Sequence, residues 1–385
     1  MRSSQARPQP PTALTRRGAL GALAAAPALA WEAAHPARAA HAATAHDLGA
    51  LLEPIRAAKP VPALVAATLR GEAVLAIGAV GRRAAGAPEP VDAGSRFHLG
   101  SCTKAMTATM IARLVEQGRL SWTTTIAEGL PELRASIHSA YHRVTLIQLL
   151  CHRSGLPEDR RPDPALWDRL RALRGPLPRQ RQALAAIVLA APPAAEPGTR
   201  KAYSNFGYVT AAAIAERATR DPWETLIRGL VFSPLAMASA GFGPPGPGQP
   251  VGHEPEKCAP IANLDNPSLI GPAGTVHASL RDWAAFASAH LRGARGERAP
   301  LLSSAMFAEL HRDRGEEYAL GWGVVRRDWA RGIALNHSGS NGLWQAVVWL
   351  APERDTGFLA ATNCGGNDGF EACDRACAAM IRAYL

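Results

Sequence analysis

Apolar and polar residues follow two periodicities along the chain, and their order predicts a sheet assembled from both ends. Apolar, β-prone runs at 63–70 and 73–81 flank Gly71 and Glu72, which predicts a β-hairpin. An amphipathic helix at 46–59, ended by Pro60, precedes it. The β pattern returns late in the chain, and a last helix is predicted at 368–385. The late strands are predicted at 318–326, 332–336, 343–350 and 357–362.

The middle of the chain has a helical pattern. A short strand or turn at 96–100 leads into a predicted helix at 101–117, which Gly118 ends. Further helical faces are predicted at 145–151, 184–191, 206–219 and 281–291, with a Gly/Pro loop at 241–250. The predicted fold class is therefore α+β, with an antiparallel sheet flanked by helices. The sheet is expected from about 60–100 and 315–365, and a helical region is inserted at about 105–290.

The first 42 residues have the pattern of an export signal. Arg16 and Arg17 precede an apolar, alanine-rich run at 18–30 that is too short to span a bilayer stably. The paired arginines resemble a bacterial twin-arginine signal, although Ala19 stands where a large apolar residue is usual. A general secretory signal or a basic leader is the alternative. We therefore predict an export signal at 1–42, a folded domain at 43–385, and a periplasmic or secreted protein without a stable membrane span.

Composition and charge narrow the class of protein further. The 385 residues are 47% hydrophobic and 19% charged, which is typical of a globular chain. The net charge is +10, of which five arginines and one glutamate within residues 1–42 contribute +4. Basic residues form no aromatic-interleaved stripe, so no nucleic-acid partner is expected. Paired Cys or His ligand spacing does not occur either, so we expect no metal and no cofactor.

The cysteines are few for an exported chain. Cys373 and Cys377 lie one helical turn apart, which is an awkward geometry for a bridge. We expect mostly buried thiols and at most one or two disulfides. The six positions are Cys102, Cys151, Cys258, Cys364, Cys373 and Cys377.

Ser101 and Lys104 begin the first long predicted helix. Their i, i+3 spacing puts the hydroxyl and the amine on one helical face. The helix N-terminus offers free N–H groups and a positive dipole end to an attacking serine, and desolvation favours a neutral lysine that can act as base. The pair alone is weak, because an N-capping serine followed by a solvated lysine has the same spacing.

Two later segments supply further candidate chemistry. Tyr203 offers a phenol that can act as general base, and Asn205 an amide that can orient a substrate carbonyl. The other reading is a loop tyrosine with an asparagine cap. The segment 337–340, His-Ser-Gly-Ser, begins or lines a late strand, and its glycine would let a substrate approach the strand edge. A β-bulge glycine beside a surface histidine is the alternative there.

Together these segments resemble the motif set of the penicillin-recognising serine hydrolases. That group comprises class C β-lactamases, D-alanyl-D-alanine carboxypeptidases, D-aminopeptidases and β-lactamase-like esterases. Class A relatives have Ser-x-x-Lys, S-D-N and K-T-G in this order, and the present chain has Tyr-x-Asn as its second motif. The resemblance covers nearly all residues after about 46 and implies the β-lactamase/penicillin-binding fold. Supporting segments in the family's order are 97–104, 145–157, 234–237, 271–274 and 321–323.

The resemblance also implies a role for each motif residue. Ser101 would be the acylated nucleophile, and Lys104 either its proton acceptor or the cation that keeps Tyr203 basic. Tyr203 would protonate the leaving group and later activate water. Substrate-binding positions would be Asn205, His337, Ser338 and Gly339, and the oxyanion-hole donors would be the N–H groups of Ser101 and Ser340.

His337 departs from the lysine that β-lactamases have at this position. Histidine is charged only in part near pH 7, which weakens a β-lactamase assignment more than a serine hydrolase assignment. We expect a monomeric, exported serine hydrolase that acts on a small-molecule or peptide amide, lactam or ester, with D-peptidase or esterase activity ranked above β-lactamase activity. The alternatives are a non-catalytic penicillin-binding sensor or interaction module, and a plain carboxylesterase without β-lactam activity.

Overall fold

The hairpin predicted around Gly71 is present, and it joins the C-terminal strands in one sheet. The computed structural model describes residues 46–158, 163–255 and 257–385. A seven-stranded sheet has the order β1-β3-β2-β12-β11-β10-β9, and β2 pairs antiparallel with β12. Strands from both ends of the chain therefore meet in this sheet, as predicted. The strands are β1 (His46–Asp47), β2 (Ala63–Arg70), β3 (Ala73–Gly81), β4 (Arg96–His98), β5 (Gly241–Phe242), β6 (Gly252–His253), β7 (Pro260–Ile261), β8 (Val276–Ser279), β9 (Gly323–Arg327), β10 (Gly332–Ser340), β11 (Gln345–Ala351) and β12 (Thr356–Thr362).

One edge of the sheet differs from the prediction in strand direction. β1 runs parallel to β3, so the sheet is mixed rather than wholly antiparallel. The helix predicted from residue 46 begins only at Gly49, because Asp47 belongs to β1 and its Oδ1 accepts a 2.9 Å hydrogen bond from Gly49 N.

The opposite edge is shorter than predicted. The strand expected at 318–326 begins at Gly323, because the chain turns at Gly321, where φ is +82°. A Cβ on Gly321 would lie 2.7 Å from Ala105 Cα, so this turn packs directly against the backbone of a helix. Tyr318 therefore precedes the strand, and its hydroxyl lies 3.1 Å from His337 Nε2.

A second, small sheet was not predicted. β4 was expected to extend the large sheet, but it pairs antiparallel with β8, and β8 pairs with β5. β5 itself lies inside the predicted loop 241–250. Strands of two to four residues show too little alternation to be found from sequence. This sheet matters for the site because β4 leads directly into Gly100.

The predicted helices at 101–117, 206–219, 281–291 and 368–385 are present with shifts of a few residues at their ends. A 3₁₀ turn at Gly100–Cys102 precedes the first of them. The faces at 145–151 and 184–191 belong to α4 and α6. The helices are α1 (Gly49–Ala58), α2 (Thr103–Glu116), α3 (Ile126–Gly129), α4 (Leu146–Leu150), α5 (Pro164–Arg171), α6 (Leu177–Val188), α7 (Asn205–Thr219), α8 (Trp223–Ile227), α9 (Gly271–Gly274), α10 (Leu280–Ala294), α11 (Ser304–His311) and α12 (Gly366–Tyr384).

Helices cover both faces of the large sheet. α1 and α12 pack on one face, and α10 packs on the other. Behind α10, the helices α2 and α7 contact each other and are buried along most of their length. The N-terminal ends of these two helices therefore lie inside the molecule, and the turn before α2 contacts β10.

The sequence also led to predictions about membrane spans, cysteines and an export signal. In the described ranges, no helix has both the length and the apolar character needed to cross a membrane. All six cysteines are free thiols, and five of them are buried, as expected. The predicted export signal lies outside the described residues, so this signal and the domain boundary at residue 42 stay predictions.

Candidate active site

Ser101 lies in the tight turn between β4 and α2. Gly100, which precedes it, has a φ of +48°, and a Cβ on Gly100 would lie 2.3 Å from Ser340 N. A Cβ on Gly339 would lie 2.6 Å from Ser101 N. The turn and β10 thus touch backbone to backbone, and only glycine fits at either position. The N–H groups of Ser101 and Ser340, the two expected oxyanion donors, lie at this contact.

Lys104 is fully buried one helical turn after Ser101. Its Nζ donates hydrogen bonds to Ser101 Oγ at 3.0 Å, to Asn205 Oδ1 at 2.6 Å and to the carbonyl oxygen of Ala273 at 2.8 Å. Nζ also lies 4.8 Å from the centroid of the Tyr203 ring. Three oxygen acceptors match the three N–H bonds of an ammonium group, so the geometry suits a lysine that carries its positive charge.

Tyr203 approaches the same serine from the segment before α7. Its hydroxyl donates a 2.9 Å hydrogen bond to Ser101 Oγ. Asn205, the first residue of α7, contacts Lys104 through its side-chain oxygen. One alcohol oxygen is therefore within hydrogen-bond distance of both an amine and a phenol, which is the convergence that the sequence motifs imply.

His152 contacts the segment that carries Tyr203 at three points. It is buried, has a φ of +61°, and its ring centroid lies 4.3 Å from that of Tyr203. His152 Nδ1 accepts a 3.2 Å hydrogen bond from Ser204 N, and the His152 carbonyl accepts one of 2.8 Å from Ala202 N. The histidine thus contacts the residues on either side of Tyr203 as well as its ring. His152 belongs to the segment 145–157 that supports the family resemblance, but no pattern in that segment predicts a contact with Tyr203.

The third motif lies on β10, with His337 buried and Ser338 exposed. His337 Nδ1 lies 2.7 Å from the carbonyl oxygen of Ser338, and Nε2 lies 3.1 Å from the Tyr318 hydroxyl. A carbonyl oxygen only accepts, so the ring proton is on Nδ1, and Nε2 accepts from Tyr318. Burial, and then the nearby charge of Lys104, lower the pKa of His337 to about 4. His337 is therefore neutral near pH 7, whereas the sequence led us to expect a partial charge.

Two buried tyrosines complete the site, and neither was predicted. Tyr208 donates a 2.6 Å hydrogen bond to the carbonyl oxygen of Leu150, and Tyr318 is the partner of His337. Burial raises the pKa of both phenols well above the ordinary value, so both remain protonated donors. Tyr208 lies on α7 one turn after Asn205, and this spacing was the only sequence signal that could have indicated it.

The mixed sheet flanked by helices, with these motifs at the junction of sheet and helical region, defines a β-lactamase/penicillin-binding fold. The sequence model of the family described as Beta-lactamase matches residues 48–379. The chain therefore belongs to the Beta-lactamase family.

Known relatives are consistent with this assignment. The chain is 27% identical over 295 residues to penicillin-binding protein 4 of Amycolatopsis lactamdurans, covering 72% of this chain and 74% of that protein. The octameric penicillin-binding protein homologue from Pyrococcus abyssi is similar in structure, with a TM-score of 0.70, 22% identity and coverage of 87% and 76%. The D-alanine carboxypeptidase AmpC from Burkholderia cenocepacia has a TM-score of 0.67, 20% identity and coverage of 86% and 96%. The structural similarities establish the fold.

Proposed function

We propose that this protein is a serine hydrolase that transfers the acyl group of its substrate to Ser101 and then to water. One observation carries the proposal: Ser101 Oγ lies 3.0 Å from Lys104 Nζ and 2.9 Å from the Tyr203 hydroxyl. A nucleophile with two proton-transfer groups in contact is the arrangement that covalent catalysis requires. Membership of the Beta-lactamase family supports a hydrolase of this type. The similarity to penicillin-binding protein 4 supports it as well.

Tyr203 acts as the general base in the proposed reaction, and Lys104 supplies positive charge. The oxygen acceptors around Lys104 Nζ favour the ammonium form. Its charge lies 4.8 Å from the centroid of the Tyr203 ring and stabilises the phenolate of Tyr203. In the reacting form Tyr203 has lost its proton and is a phenolate, so it takes the proton of Ser101 as Oγ attacks the carbonyl carbon, and then gives it to the leaving group. In the second half-reaction Tyr203 takes a proton from water, which attacks the Ser101 ester and releases the acid.

The carbonyl oxygen becomes negatively charged during both attacks. The N–H groups of Ser101 and Ser340 are the proposed donors to this oxygen, since both lie at the backbone contact between Gly100 and Gly339. Glycine is needed at position 339, because any side chain there would push the two N–H donors apart. Asn205 and Ser338 remain the proposed contacts for the substrate chain on either side of the ester or amide.

The state of His337 bears on the class of substrate. β-Lactamases with lysine at this position have a permanent cation for the substrate carboxylate. His337 is neutral at pH 7, and both its ring nitrogens have hydrogen-bond partners within the protein. This observation favours a substrate without a carboxylate at that point, so a carboxylesterase is the second candidate beside a D-peptidase.

We further propose export to the periplasm or the medium, on the basis of the arginine pair and apolar run in residues 1–42. A monomer remains our expectation, although one structural neighbour is an octamer. Size-exclusion chromatography with light scattering on the mature chain tests the monomer directly.

The experiment that tests the function compares three substrates: a short-chain p-nitrophenyl ester, a D-alanyl-D-alanine peptide and a chromogenic cephalosporin. The proposal predicts turnover of the ester or the peptide, weaker turnover of the cephalosporin, and loss of all activity in Ser101→Ala. Ser136→Ala, at an exposed serine, serves as the matched control. A stable adduct with a fluorescent penicillin and no turnover of any substrate would instead support a non-catalytic penicillin-binding module.

A further inference from the structure

A carboxylate that the proposed reaction does not use lies behind the oxyanion donors. Asp265 belongs to the segment between β7 and α9, and its carboxylate is nearly buried, with 7% of the side chain exposed. His98 Nε2 lies 3.1 Å from both carboxylate oxygens, and Asn341 Nδ2 donates a 2.8 Å hydrogen bond to Oδ1. His98 precedes Ser101 by three residues, and Asn341 directly follows Ser340. One carboxylate therefore contacts both segments that carry an oxyanion donor.

The proton on His98 can be assigned from its partners. His98 Nδ1 accepts a 3.1 Å hydrogen bond from Gly100 N, and a backbone N–H only donates. The ring proton is therefore on Nε2, where it points to Asp265. Through the fully buried His98 ring, Asp265 is linked to Gly100, whose left-handed conformation shapes the turn that presents Ser101.

The turn that carries Ser101 and the strand that carries Ser340 meet at two glycines. Gly100 and Gly339 touch through backbone atoms, so neither residue contributes a side chain that could fix the distance at the contact itself. Asp265 itself is anchored, because its neighbour Asn266 donates a 2.9 Å hydrogen bond from Nδ2 to the carbonyl oxygen of Gly274 in α9. The adjacent carbonyl, that of Ala273, is the one that accepts from Lys104.

We propose that Asp265 is a positioning residue, which through His98 and Asn341 sets the distance between the N–H groups of Ser101 and Ser340. This inference rests on the proposed function, since it assigns those two groups to the oxyanion hole. Oxyanion donors act mainly in the transition state, and a displacement of about 1 Å can cost about 100-fold in rate. Loss of the Asp265 contacts should therefore lower kcat far more than it raises KM.

The test uses Asp265→Asn and Asn341→Ala in the full chain. Asp265→Asn removes the negative charge and replaces one acceptor oxygen by an NH₂ group, which repels the N–H of His98 or of Asn341 that it faces. Asn341→Ala removes one of the two contacts outright. We expect each variant to lower kcat about 10- to 100-fold with KM nearly unchanged. The double variant should lose little more than the worse single variant, because the two residues act through one contact.

A readout that a purely structural role would not change is the affinity for a transition-state analogue. Phenylboronic acid forms a tetrahedral adduct with a serine, so its Ki should rise in the two variants by the factor that kcat falls. Asp282→Asn is the matched control, because Asp282 Oδ2 accepts two 2.7 Å hydrogen bonds from Ser239 and neither oxyanion segment is involved. It should leave kcat and Ki unchanged.

Wild-type values of kcat and Ki in a folded Asp265→Asn variant would overturn the inference, as would a rise in KM alone. If Asp265→Asn does not fold, Asn341→Ala is judged by the same two quantities. Failure of the proposed function has a different result, namely retained activity in Ser101→Ala, so the two failures can be told apart.

A different observation concerns two of the thiols. Cys258 Sγ and Cys364 Sγ lie 3.5 Å apart, although 106 residues separate them in the chain. Cys258 is half-buried in the segment between β6 and β7, whereas Cys364 is buried directly after β12. His253 in β6 forms an isolated bridge with Cys364, which keeps the two segments adjacent.

We infer that Cys258 and Cys364 are a site of disulfide formation by thiol–disulfide exchange. The more exposed Cys258 thiolate attacks the disulfide of a low-molecular-weight or protein oxidant, forms a mixed disulfide and releases one thiol. Cys364 then loses its proton and attacks Cys258 Sγ, which releases the second thiol. The protein loses two protons and two electrons, and the oxidant is reduced to two thiols.

Oxidised glutathione is the probe, with intact mass and non-reducing peptide mapping as the readout. We expect a mass loss of about 2 Da, one cross-linked peptide pair that contains Cys258 and Cys364, and a Tm about 5 °C above that of the reduced chain. Cys258→Ser should abolish the cross-link, and Cys151→Ser, at a buried thiol, should retain it. A lasting glutathione adduct on Cys258, or two thiols that still react with an alkylating agent, would contradict this inference.

Discussion

Tyr318 donates its hydroxyl proton to Nε2 of His337, and the two atoms are 3.1 Å apart. The other ring nitrogen donates to the Ser338 carbonyl oxygen, so the imidazole is neutral and both its nitrogens are used. In β-lactamases with a lysine at this position the strand offers a positive charge. The present site offers a neutral, buried ring, which changes both the pH dependence and the substrates that we expect.

The pH dependence of hydrolysis follows from the lowered pKa of His337. An ordinary histidine changes charge near pH 6.5, whereas His337, at about 4, remains neutral down to well below pH 6. For an uncharged ester, we expect no inflection of kcat/KM near pH 6.5 that depends on this residue. Stopped-flow or steady-state rates between pH 5 and pH 8 measure it. An inflection near pH 6.5 that disappears in His337→Gln would refute the neutral assignment.

His152 should act on the rate through Tyr203. His152→Asn retains a residue that tolerates the left-handed φ of +61° but removes the ring that packs against Tyr203. We expect kcat to fall about 10-fold, because the phenol is less well oriented toward Ser101. The Tm should change by only a few degrees. His138→Asn is the control, since His138 Nδ1 also accepts from a backbone N–H but lies at a surface turn. Equal effects of the two substitutions on kcat would show that the ring contact is unimportant.

Arg181 should dominate the stability of the helical region. Its buried guanidinium binds Glu216 and Glu224 and donates to the carbonyl oxygen of Leu269 at 3.1 Å. Burial raises the pKa of Glu216, and Arg181 opposes this effect. Arg181→Met removes the compensating charge, so we expect a loss of about 3–5 kcal/mol in the free energy of unfolding.

Urea denaturation followed by circular dichroism measures this loss. Arg217→Met is the matched control, because the Arg217–Glu132 pair is largely exposed, with 46% and 38% of the side chains accessible. It should cost less than about 1 kcal/mol. A similar loss in both variants would show that burial of the ion pair is not the cause.

Two neighbouring histidines at the junction of α10 and α11, the buried His290 and the half-buried His311, should make the fold sensitive to acid. His290 Nδ1 lies 2.9 Å from His311 Nε2, and burial lowers the pKa of His290 well below the ordinary value and that of His311 to about 3. Above pH 6.5 both rings are neutral in the folded and the unfolded chain, so they contribute nothing there. Between pH 6.5 and about 3 only the unfolded chain binds the proton of His311, so stability falls as the pH falls.

The slope is about 1.4 kcal/mol per pH unit for each such histidine. His311→Gln removes one titrating group, so its loss of Tm between pH 7 and pH 5 should be smaller than that of the wild type. Differential scanning calorimetry at matched ionic strength measures both. A steeper fall in the variant would contradict the assignment of a neutral His311 in the folded state.

Sequence reasoning could predict the parts of this site that are set by short-range spacing. Ser101 and Lys104 are one helical turn apart, so their contact follows from the helix alone, and the resemblance to known motifs added Tyr203, Asn205 and the 337–340 segment. Asp265, His152 and Tyr318 could not be predicted in the same way. Each meets its partner through long-range packing, and none of them has a periodicity or spacing that indicates the contact.

The same distinction applies to the fold. The hairpin of β2 and β3 and the late strands are runs of five or more residues rich in apolar, β-prone side chains, and such runs can be predicted from sequence. The small sheet of β4, β5 and β8 has strands of two to four residues and was missed. β9 was predicted too long, because a glycine turn against α2 has no counterpart in an apolar pattern.

The most direct test of the central claim is to identify the residue that carries the acyl group. The protein is mixed briefly with an activated ester at low pH, quenched, digested and mapped by mass spectrometry. We predict one acylated peptide, with the acyl group on Ser101, in a wild-type chain and none in Ser101→Ala. An acyl group on another residue, or equal labelling of Ser101→Ala, would contradict the proposed mechanism.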